Sequence, residues 1–395
     1  KTHTFWGTGG GSTQLADGNF ATAYAIQDSN TALSDFFLVK FDAEGDTLFT
    51  RRFGSNRPDD ATAVTYTADS GMILVGWGRA LDPEGDVYLT KFDMYGNQLW
   101  EKFYGGPEKD YAYNIRTLDG KEFYVSGKKT VVGNEDCYIM KIDSAGDMLW
   151  DKTLGGPGFD CHCSIDISDS GKLLVAGCRD TVINNEPRLH STAYLLDTNG
   201  GNLIWSEEVG IPDLNDLTLR AKALADSSGY LLLGTIEDEA VFYGFPFGFI
   251  AHLNNNGNFT YFRRYGYANE LFLPGFASTY FNDVAVINDG LMVLGEANGT
   301  NGTQDLWLVK LNSLGCIGSY CGLTDTNCYY LPYPNCDTST VVDTIPVVDT
   351  TDTVGITNFY PEKAKYTLYP NPATSTLTLS RGNITTQPAT LTLYN

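Results

Sequence analysis

The chain has 395 residues, 13% of them aromatic, and its 26 Lys and Arg against 48 Asp and Glu give a net charge of −22. This acidic excess would repel phosphate backbones and anionic membrane surfaces, which excludes nucleic acid as an expected partner. No apolar run approaches the roughly 18 residues of a membrane span, so no membrane insertion is predicted. The start at Lys1 shows no signal-peptide pattern, as expected of a mature, processed chain.

A short motif of Lys (or Leu, His), an apolar residue and Asp or Asn recurs along most of the chain. Its copies end at Asp42, Asp93, Asp143, Asp197, Asn254 and Asn312, in steps of 51, 50, 54, 57 and 58 residues. Periods near 40 to 50 residues with several short strands per unit are typical of a β-propeller. The repeats therefore predict an all-β, six-bladed β-propeller over residues 1–315.

Each repeat is expected to form four short strands. In the unit around residue 160, a first hairpin turns at residues 169–171, and the preceding unit carries its second hairpin turn at residues 143–146. Glycine in such turns supplies the positive φ that tight hairpins require. An aromatic strand follows, as at Trp150, then a glycine crossover, as at Gly155 and Gly156. We expect these aromatic rings to pack between blades.

The last repeat lacks its aromatic strand, and the amino terminus offers one. Residues 4–6 read Thr-Phe-Trp, and Gly9, Gly10 and Gly11 follow them like a crossover. We therefore expect this N-terminal strand to complete the last blade and close the ring, which would remove the open edges of the sheet.

Beyond the repeats, the composition changes three times. A cysteine-rich closing segment covers residues 316–336, and an Asp/Thr/Val-rich linker, too polar to bury a core, covers residues 337–359. A small β element then fills residues 360–395, where the alternation of Thr376 to Leu379 is typical of a half-buried strand.

That final segment contains Leu368 followed by Tyr369, Pro370, Asn371 and Pro372. It resembles the opening of the type A C-terminal sorting domain carried by proteins that the type IX secretion system of Bacteroidetes exports. Such domains usually continue for further strands, so residues 360–395 are expected to form part of a small β-sandwich-like domain. The repeats likewise resemble those of secreted propellers from this bacterial group.

The resemblance implies a partner and a location. The partner is the type IX secretion machinery, and the location is extracellular or at the outer-membrane surface. The linker also contains three Asp-Thr-apolar or Asp-Thr-Thr triplets that resemble O-glycosylation acceptors of these bacteria. Their acceptor residues are Thr344, Thr350 and Thr353.

Cysteine placement favours disulfides and an oxidising compartment. Four cysteines crowd into the closing segment, at Cys316, Cys321, Cys328 and Cys336. If the hairpin turns between Asp169 and Ser170, Cys161 opposes Cys178 across two strands, and a disulfide there is one expectation. Cys137 and Cys163 are expected to be buried free thiols.

The familiar catalytic and metal motifs are missing from the sequence. Cys161, His162 and Cys163 alternate faces if they lie on a strand, so no metal site and no cofactor are predicted. The four histidines stand outside any Gly-x-Ser-x-Gly or His-Glu-x-x-His motif. Adjacent carboxylates such as Asp59 and Asp60 provide the residue types that a glycosidase needs, so that activity stays open. The favoured interpretation is that they are solvated loop charges.

The longer inserts are the predicted binding loops, at residues 78–86, 179–191, 238–247 and 269–281. The last two supply aromatic candidates for ligand binding: Tyr243, Phe245, Phe247, Phe272, Phe276, Tyr280 and Phe281. The sequence thus predicts a secreted, non-enzymatic propeller that binds or adheres to a glycan or protein. Two alternatives stay open: a homo-oligomeric or larger surface assembly, such as a fibre or a secretion-associated complex, and a glycan-active hydrolase.

Overall fold

The computed structural model describes residues 6–27, 34–54, 59–79, 84–183, 186–210, 214–237, 246–265, 279–298, 304–316, 366–368, 376–381 and 390–392. Every regular element within these ranges is a β-strand. The chain divides into two compact units. Residues 1–123, 142–147 and 356–395 form one, and residues 124–141 and 148–355 form the other.

The described strands follow the predicted repeat. The first two sheets contain β1 (Trp6–Gln14), β2 (Phe20–Gln27), β3 (Ser34–Phe41) and β4 (Thr47–Phe53), then β5 (Asp59–Tyr66), β6 (Met72–Gly78), β7 (Asp86–Phe92) and β8 (Gln98–Tyr104). The next two contain β9 (Asp110–Arg116), β10 (Glu122–Val131), β11 (Asn134–Asp143) and β12 (Met148–Leu154), then β13 (Asp160–Ile167), β14 (Lys172–Ile183), β15 (Glu186–Asp197) and β16 (Leu203–Glu208).

The fifth sheet contains β17 (Asn215–Ala223), β18 (Tyr230–Glu237), β19 (Pro246–Leu253) and β20 (Phe259–Tyr265), and the sixth contains β21 (Thr279–Ile287), β22 (Gly290–Asn298) and β23 (Gln304–Leu311). Neighbouring strands are hydrogen-bonded in chain order. The prediction of an all-β, six-bladed β-propeller is confirmed. A separate three-stranded sheet joins β24 (Tyr366–Leu368), β25 (Thr376–Arg381) and β26 (Thr390–Thr392).

The middle strands of a sheet carry the core. In the second sheet, β6 and β7 are buried on both faces, whereas the residues of the outer strand β8 are all exposed or half-buried. Apolar clusters fill the spaces between successive sheets. One joins Phe36 and Leu38 to Leu74 and Phe92, and another joins Ile139 to Val175. The core is therefore distributed over the blade junctions.

The outer-strand aromatic residues pack on the next blade, as predicted. Each ring covers a positive-φ glycine in the second hairpin turn of the following sheet, and a Cβ on that glycine would lie 2.8–3.1 Å from the ring. The pairs are Phe49 with Gly96, Trp100 with Gly146, Trp150 with Gly201, Trp205 with Gly257 and Tyr261 with Gly315. Glycine is required in these turns both for its backbone conformation and for the space the ring occupies.

The repeated Lys-apolar-Asp motif also joins blades. Lys91 is buried, its Nζ lies 2.7 Å from Asp69 Oδ2, and it donates to Ser144 O in the next sheet at 3.5 Å. Asp93 closes the following turn, since its Oδ1 accepts from the backbone of Tyr95 at 2.9 Å and Asn97 at 2.8 Å. The motif that reveals the repeat is therefore structural.

One predicted pairing is wrong. Trp6 was expected in the last blade, but it lies opposite Gln27 in the first sheet, while Thr4 and Phe5 lie outside the described residues. The glycines interpreted as a crossover belong to β1, which has an irregularity between Gly9 and Ser12. A Cβ on Gly11 would lie 3.2 Å from Ala63 Cα, so close packing on β5 explains a glycine there without a crossover.

The turn between β10 and β11 contains a strained residue. Val132 is 93% exposed with φ 52°, and Gly133 follows with φ 77°, the conformation of a type I′ hairpin turn. A β-branched residue is disfavoured at positive φ.

We expect Val132→Asn to raise the free energy of unfolding by about 1 kcal/mol in urea titrations, since Asn-Gly is preferred in this turn. The control is Val131→Asn, within β10, which should not raise the free energy of unfolding. If both variants raised it equally, Val132 would not be strained.

Candidate functional site

Three aromatic side chains meet where β6 ends and β9 begins. They are Trp77 near the end of β6, and Tyr111 and Tyr113 near the start of β9. All three are half-buried. We call this group the aromatic corner.

The aromatic corner combines two parallel rings with a third that is nearly perpendicular to one of them. Tyr111 and Tyr113 are parallel within 7°, with centroids 6.3 Å apart, because residues two apart on a strand share a face. Trp77 meets Tyr111 edge-on at 79°, with centroids 5.4 Å apart. The strand geometry thus places two parallel rings beside a perpendicular one, with part of each ring open to solvent.

Charged groups surround the aromatic corner. The Arg79 guanidinium lies 5.1 Å from the Trp77 ring centroid, and Lys109 Nζ lies 4.9 Å from that of Tyr111. Asp60 accepts a hydrogen bond from Trp77. Burial, together with the neighbouring Asp59 charge, raises the pKa of Asp60 against the effect of that hydrogen bond. Donors and acceptors therefore border the same apolar surface.

Backbone contacts fix this arrangement. Gly85 has φ 104°, and a Cβ there would lie 3.1 Å from the Trp77 ring. Its carbonyl accepts from Asp110 N at 2.9 Å, and Asp59 Oδ1 accepts from Arg79 N at 3.1 Å. The two strands that carry the rings are thereby tied to the segment preceding β7. Arg79 Nε is buried with no hydrogen-bond partner among the described residues.

A carboxyl pair forms a second cluster, between β11 and β13. Asp160 is 2% exposed and hydrogen-bonds the Asp136 carboxyl. Asp160 Oδ2 accepts from Gly156 N at 2.9 Å, and Asn134 donates to Asp136 Oδ1 at 2.7 Å. Burial, followed by the interaction with Asp136, raises the pKa of Asp160 to about 6. Burial also raises the pKa of Asp136, although the hydrogen bond from Asp160 lowers it, so the two carboxyl groups hold a proton between them only below about pH 6.

The same arrangement recurs at other junctions. A Cβ on Gly155 would lie 2.1 Å from Asp160 Oδ2 and 2.7 Å from Asp136 Oδ1. One on Gly105 would lie 2.0 Å from Asp86 Oδ1 and 2.9 Å from Asp110 Oδ2. At the next junction Asp216 packs on Gly210, with His190 Nδ1 3.4 Å from Asp216 Oδ2. Recurrence in successive repeats indicates a structural role for these carboxyl groups.

The predicted aromatic ligands have different positions. Phe247 and Phe281 are buried: Phe247 joins the core between the fourth and fifth sheets, and Phe281 packs against Tyr265 and Trp307. Tyr280 is half-buried in β21. Tyr243, Phe245, Phe272 and Phe276 lie outside the described residues. The structure thus brings together none of the seven as an exposed cluster within its described part.

The cysteines require a correction. Cys137 and Cys163, expected as free thiols, form a disulfide with an S–S distance of 2.02 Å. Cys137 lies on β11 and Cys163 on β13, so the bond joins successive blades, a contact that pairing within one sheet does not predict. Cys178 is disulfide-bonded and Cys161 is its cross-strand partner in register, as expected from the turn.

Cys316 is also disulfide-bonded. The other predicted C-terminal sites lie outside the described residues. They are the candidate disulfide cysteines Cys321, Cys328 and Cys336, the sorting-motif residues Tyr369, Pro370, Asn371 and Pro372, and the acceptor residues Thr344, Thr350 and Thr353.

Sequence reasoning did not single out the aromatic corner, although a signal existed. The first and third positions after the Asp that begins or follows the start of the first strand are occupied differently in these repeats. They hold Asp60 and Thr62 in the second repeat, Tyr111 and Tyr113 in the third, Cys161 and Cys163 in the fourth, and Leu217 and Leu219 in the fifth. A pair of tyrosines at a position that varies among otherwise similar repeats indicates a local function.

The described part of the chain contains no group of three or more His, Cys, Asp or Glu side chains placed to hold a metal ion. It also contains no helix long and apolar enough to cross a membrane.

The chain matches no established family model. An alignment of 121 positions with regulatory protein FlaEY of Caulobacter vibrioides is 30% identical, and it covers 27% of this chain and only 12% of that protein.

Among solved structures, the Pan2 WD40 domain of Neurospora crassa is 12% identical with a TM-score of 0.42, covering 76% of this chain and 95% of that one. An α-L-arabinanase of Penicillium chrysogenum is 9% identical with a TM-score of 0.45, covering 78% and 93%. An α-L-arabinofuranosidase of Fusarium graminearum is 8% identical with a TM-score of 0.44, covering 78% and 92%. These values assign no activity to this chain.

Proposed function

We propose that this protein is a secreted, non-enzymatic binding propeller that engages an extracellular glycan or protein partner through its aromatic corner. The observation that carries the proposal is the grouping of Trp77, Tyr111 and Tyr113 as half-open rings beside Asp60, Arg79 and Lys109. Partly buried aromatic rings with a few convergent polar groups are the usual composition of a binding site.

Export and attachment follow from different observations. The Cys137–Cys163 disulfide supports an oxidising compartment. The Tyr369 to Pro372 motif supports recognition by the type IX secretion machinery, which would deliver the protein to the cell surface or the medium.

A glycan hydrolase is the competing function, and the carboxyl pairs weigh against it. Asp136 and Asp160 hydrogen-bond each other, whereas glycosidases hold their two carboxyl groups about 5 Å or more apart with the sugar between them. Asp59 and Asp60 are adjacent on β5, so their side chains point to opposite faces of the sheet. Neither pair can flank a glycosidic bond.

The test is binding of the full-length protein to arrays of glycans and of peptides. We expect Tyr111→Ala to weaken binding about tenfold or more, as is usual for a central aromatic contact. The control is Tyr95→Ala, which removes a 65%-exposed tyrosine in a turn of the second sheet and should change nothing. Release of new reducing ends from a bound glycan would contradict the non-enzymatic proposal.

A further inference from the structure

We propose that the ligand of the aromatic corner is an uncharged saccharide whose ring stacks against Tyr111 and Tyr113, with Trp77 as a side wall. This inference rests on the proposed binding function and adds the chemical class of the ligand. Pyranose rings combine an apolar C–H face with a rim of hydroxyl groups. A site for them needs open aromatic rings bordered by both donors and acceptors.

The polar border fits hydroxyl groups. Asp60 supplies a carboxylate acceptor, while Arg79 and Lys109 supply donors beside the Trp77 and Tyr111 rings.

The mixed charge argues against anionic ligands. Asp60 hydrogen-bonds Trp77, and Glu84 and Glu108 lie on the segments of chain that also carry Gly85 and Lys109. The protein as a whole carries a net charge of −22, which repels polyanionic glycans. An uncharged saccharide is repelled neither by the nearby carboxylates nor by the net charge of the protein.

The ring spacing argues against a proline-rich peptide, the other usual ligand of aromatic surfaces. A proline ring inserted between two parallel aromatic rings needs van der Waals contact of about 3.5 Å on each side. The Tyr111 and Tyr113 centroids are only 6.3 Å apart, so a proline ring cannot be sandwiched between them. A proline-rich peptide that packs on one open ring face is the outcome that the peptide arm of the titration tests.

The experiment is a titration of the full-length protein with a panel of neutral oligosaccharides, matched uronic-acid oligosaccharides and a proline-rich peptide, followed by tryptophan fluorescence and calorimetry. We expect a neutral oligosaccharide to bind and to change the fluorescence, with that change lost in Trp77→Phe. Tyr111→Ala and Tyr113→Ala should each weaken binding about tenfold, whereas Tyr111→Phe should retain it because stacking needs the ring and not the hydroxyl.

Asp60→Asn should weaken binding severalfold without altering the thermal unfolding midpoint, and Tyr95→Ala should bind like the wild type. If the peptide or an anionic sugar binds at the corner and neutral sugars do not, the ligand class is wrong while the binding function stands. If neutral sugars bind but all corner variants retain affinity, the assigned site is wrong. If none of the probes or the array ligands bind, both the ligand class and the proposed function fail.

Discussion

Loss of the Cys137–Cys163 disulfide is expected to lower the free energy of unfolding by about 3 kcal/mol, because the unfolded chain gains conformational entropy when the loop is no longer closed. The two cysteines are 26 residues apart, and both are buried in the cluster between the third and fourth sheets. Replacement of both by alanine avoids placing a polar hydroxyl in this core. The measurement is urea unfolding under non-reducing conditions.

The comparison that isolates the bond is a mutant cycle. Cys137→Ala, Cys163→Ala and the double variant should lose similar free energies, since each removes the same cross-link. A control for lost packing is Ile165→Val, which removes one methylene from the same cluster and should cost about 1 kcal/mol. A double variant as stable as the wild type would show that the disulfide contributes nothing.

The Asp136–Asp160 carboxyl pair is expected to make the protein less stable as the pH rises. The folded-state pKa of Asp160, about 6, lies above the usual value for an aspartate, so the folded protein binds more protons than the unfolded chain between those values. The free energy of unfolding therefore falls as the pH increases through this window. We expect a loss of about 1–2 kcal/mol between pH 5 and pH 7.5 from this pair.

Asp136→Asn tests the shared proton directly. The Asn amide would donate to Asp160 at every pH and lower its pKa, while burial would still raise it. This variant should therefore have a shallower pH slope than the wild type and be more stable than the wild type at pH 7.5. The cation facing the pair is Arg179, which is also ion-paired with Glu208, and Tyr194 lies in the same group.

The control for removal of one negative charge is Asp169→Asn, at an exposed turn position. It should retain the wild-type pH slope. An Asp136→Asn protein with an unchanged slope, or one destabilised at pH 7.5, would mean that the carboxyl groups do not share a proton.

The repeat could be predicted because its signals are local. Turn glycines, the aromatic outer strand and the Lys-apolar-Asp motif are defined by residues adjacent in sequence, and Trp100 and Lys91 lie where their spacing indicates. The N-terminal pairing failed for a nonlocal reason. The sequence around Gly9 suits either a crossover or an irregular strand, and the packing of Gly11 against Ala63 decides between them.

The candidate site was less predictable because it depends on contacts across blades. Phe247 and Phe281 lie in aromatic inserts, yet their strands turn them into the core. Cys163 meets Cys137 of the preceding sheet, whereas alternation within β13 describes only its own sheet. Tyr111 and Trp77 are 34 positions apart and belong to different sheets, so no local pattern joins them.

The contact of each outer aromatic ring with the next turn glycine has a consequence for how such a chain evolves. Both partners occupy fixed positions of the repeat, so a duplicated repeat carries a ring for its successor and a glycine for its predecessor. Nearest-neighbour interfaces of this kind make repeats exchangeable units. A duplicated copy would therefore meet an aromatic ring on one side and a turn glycine on the other, as its neighbours do.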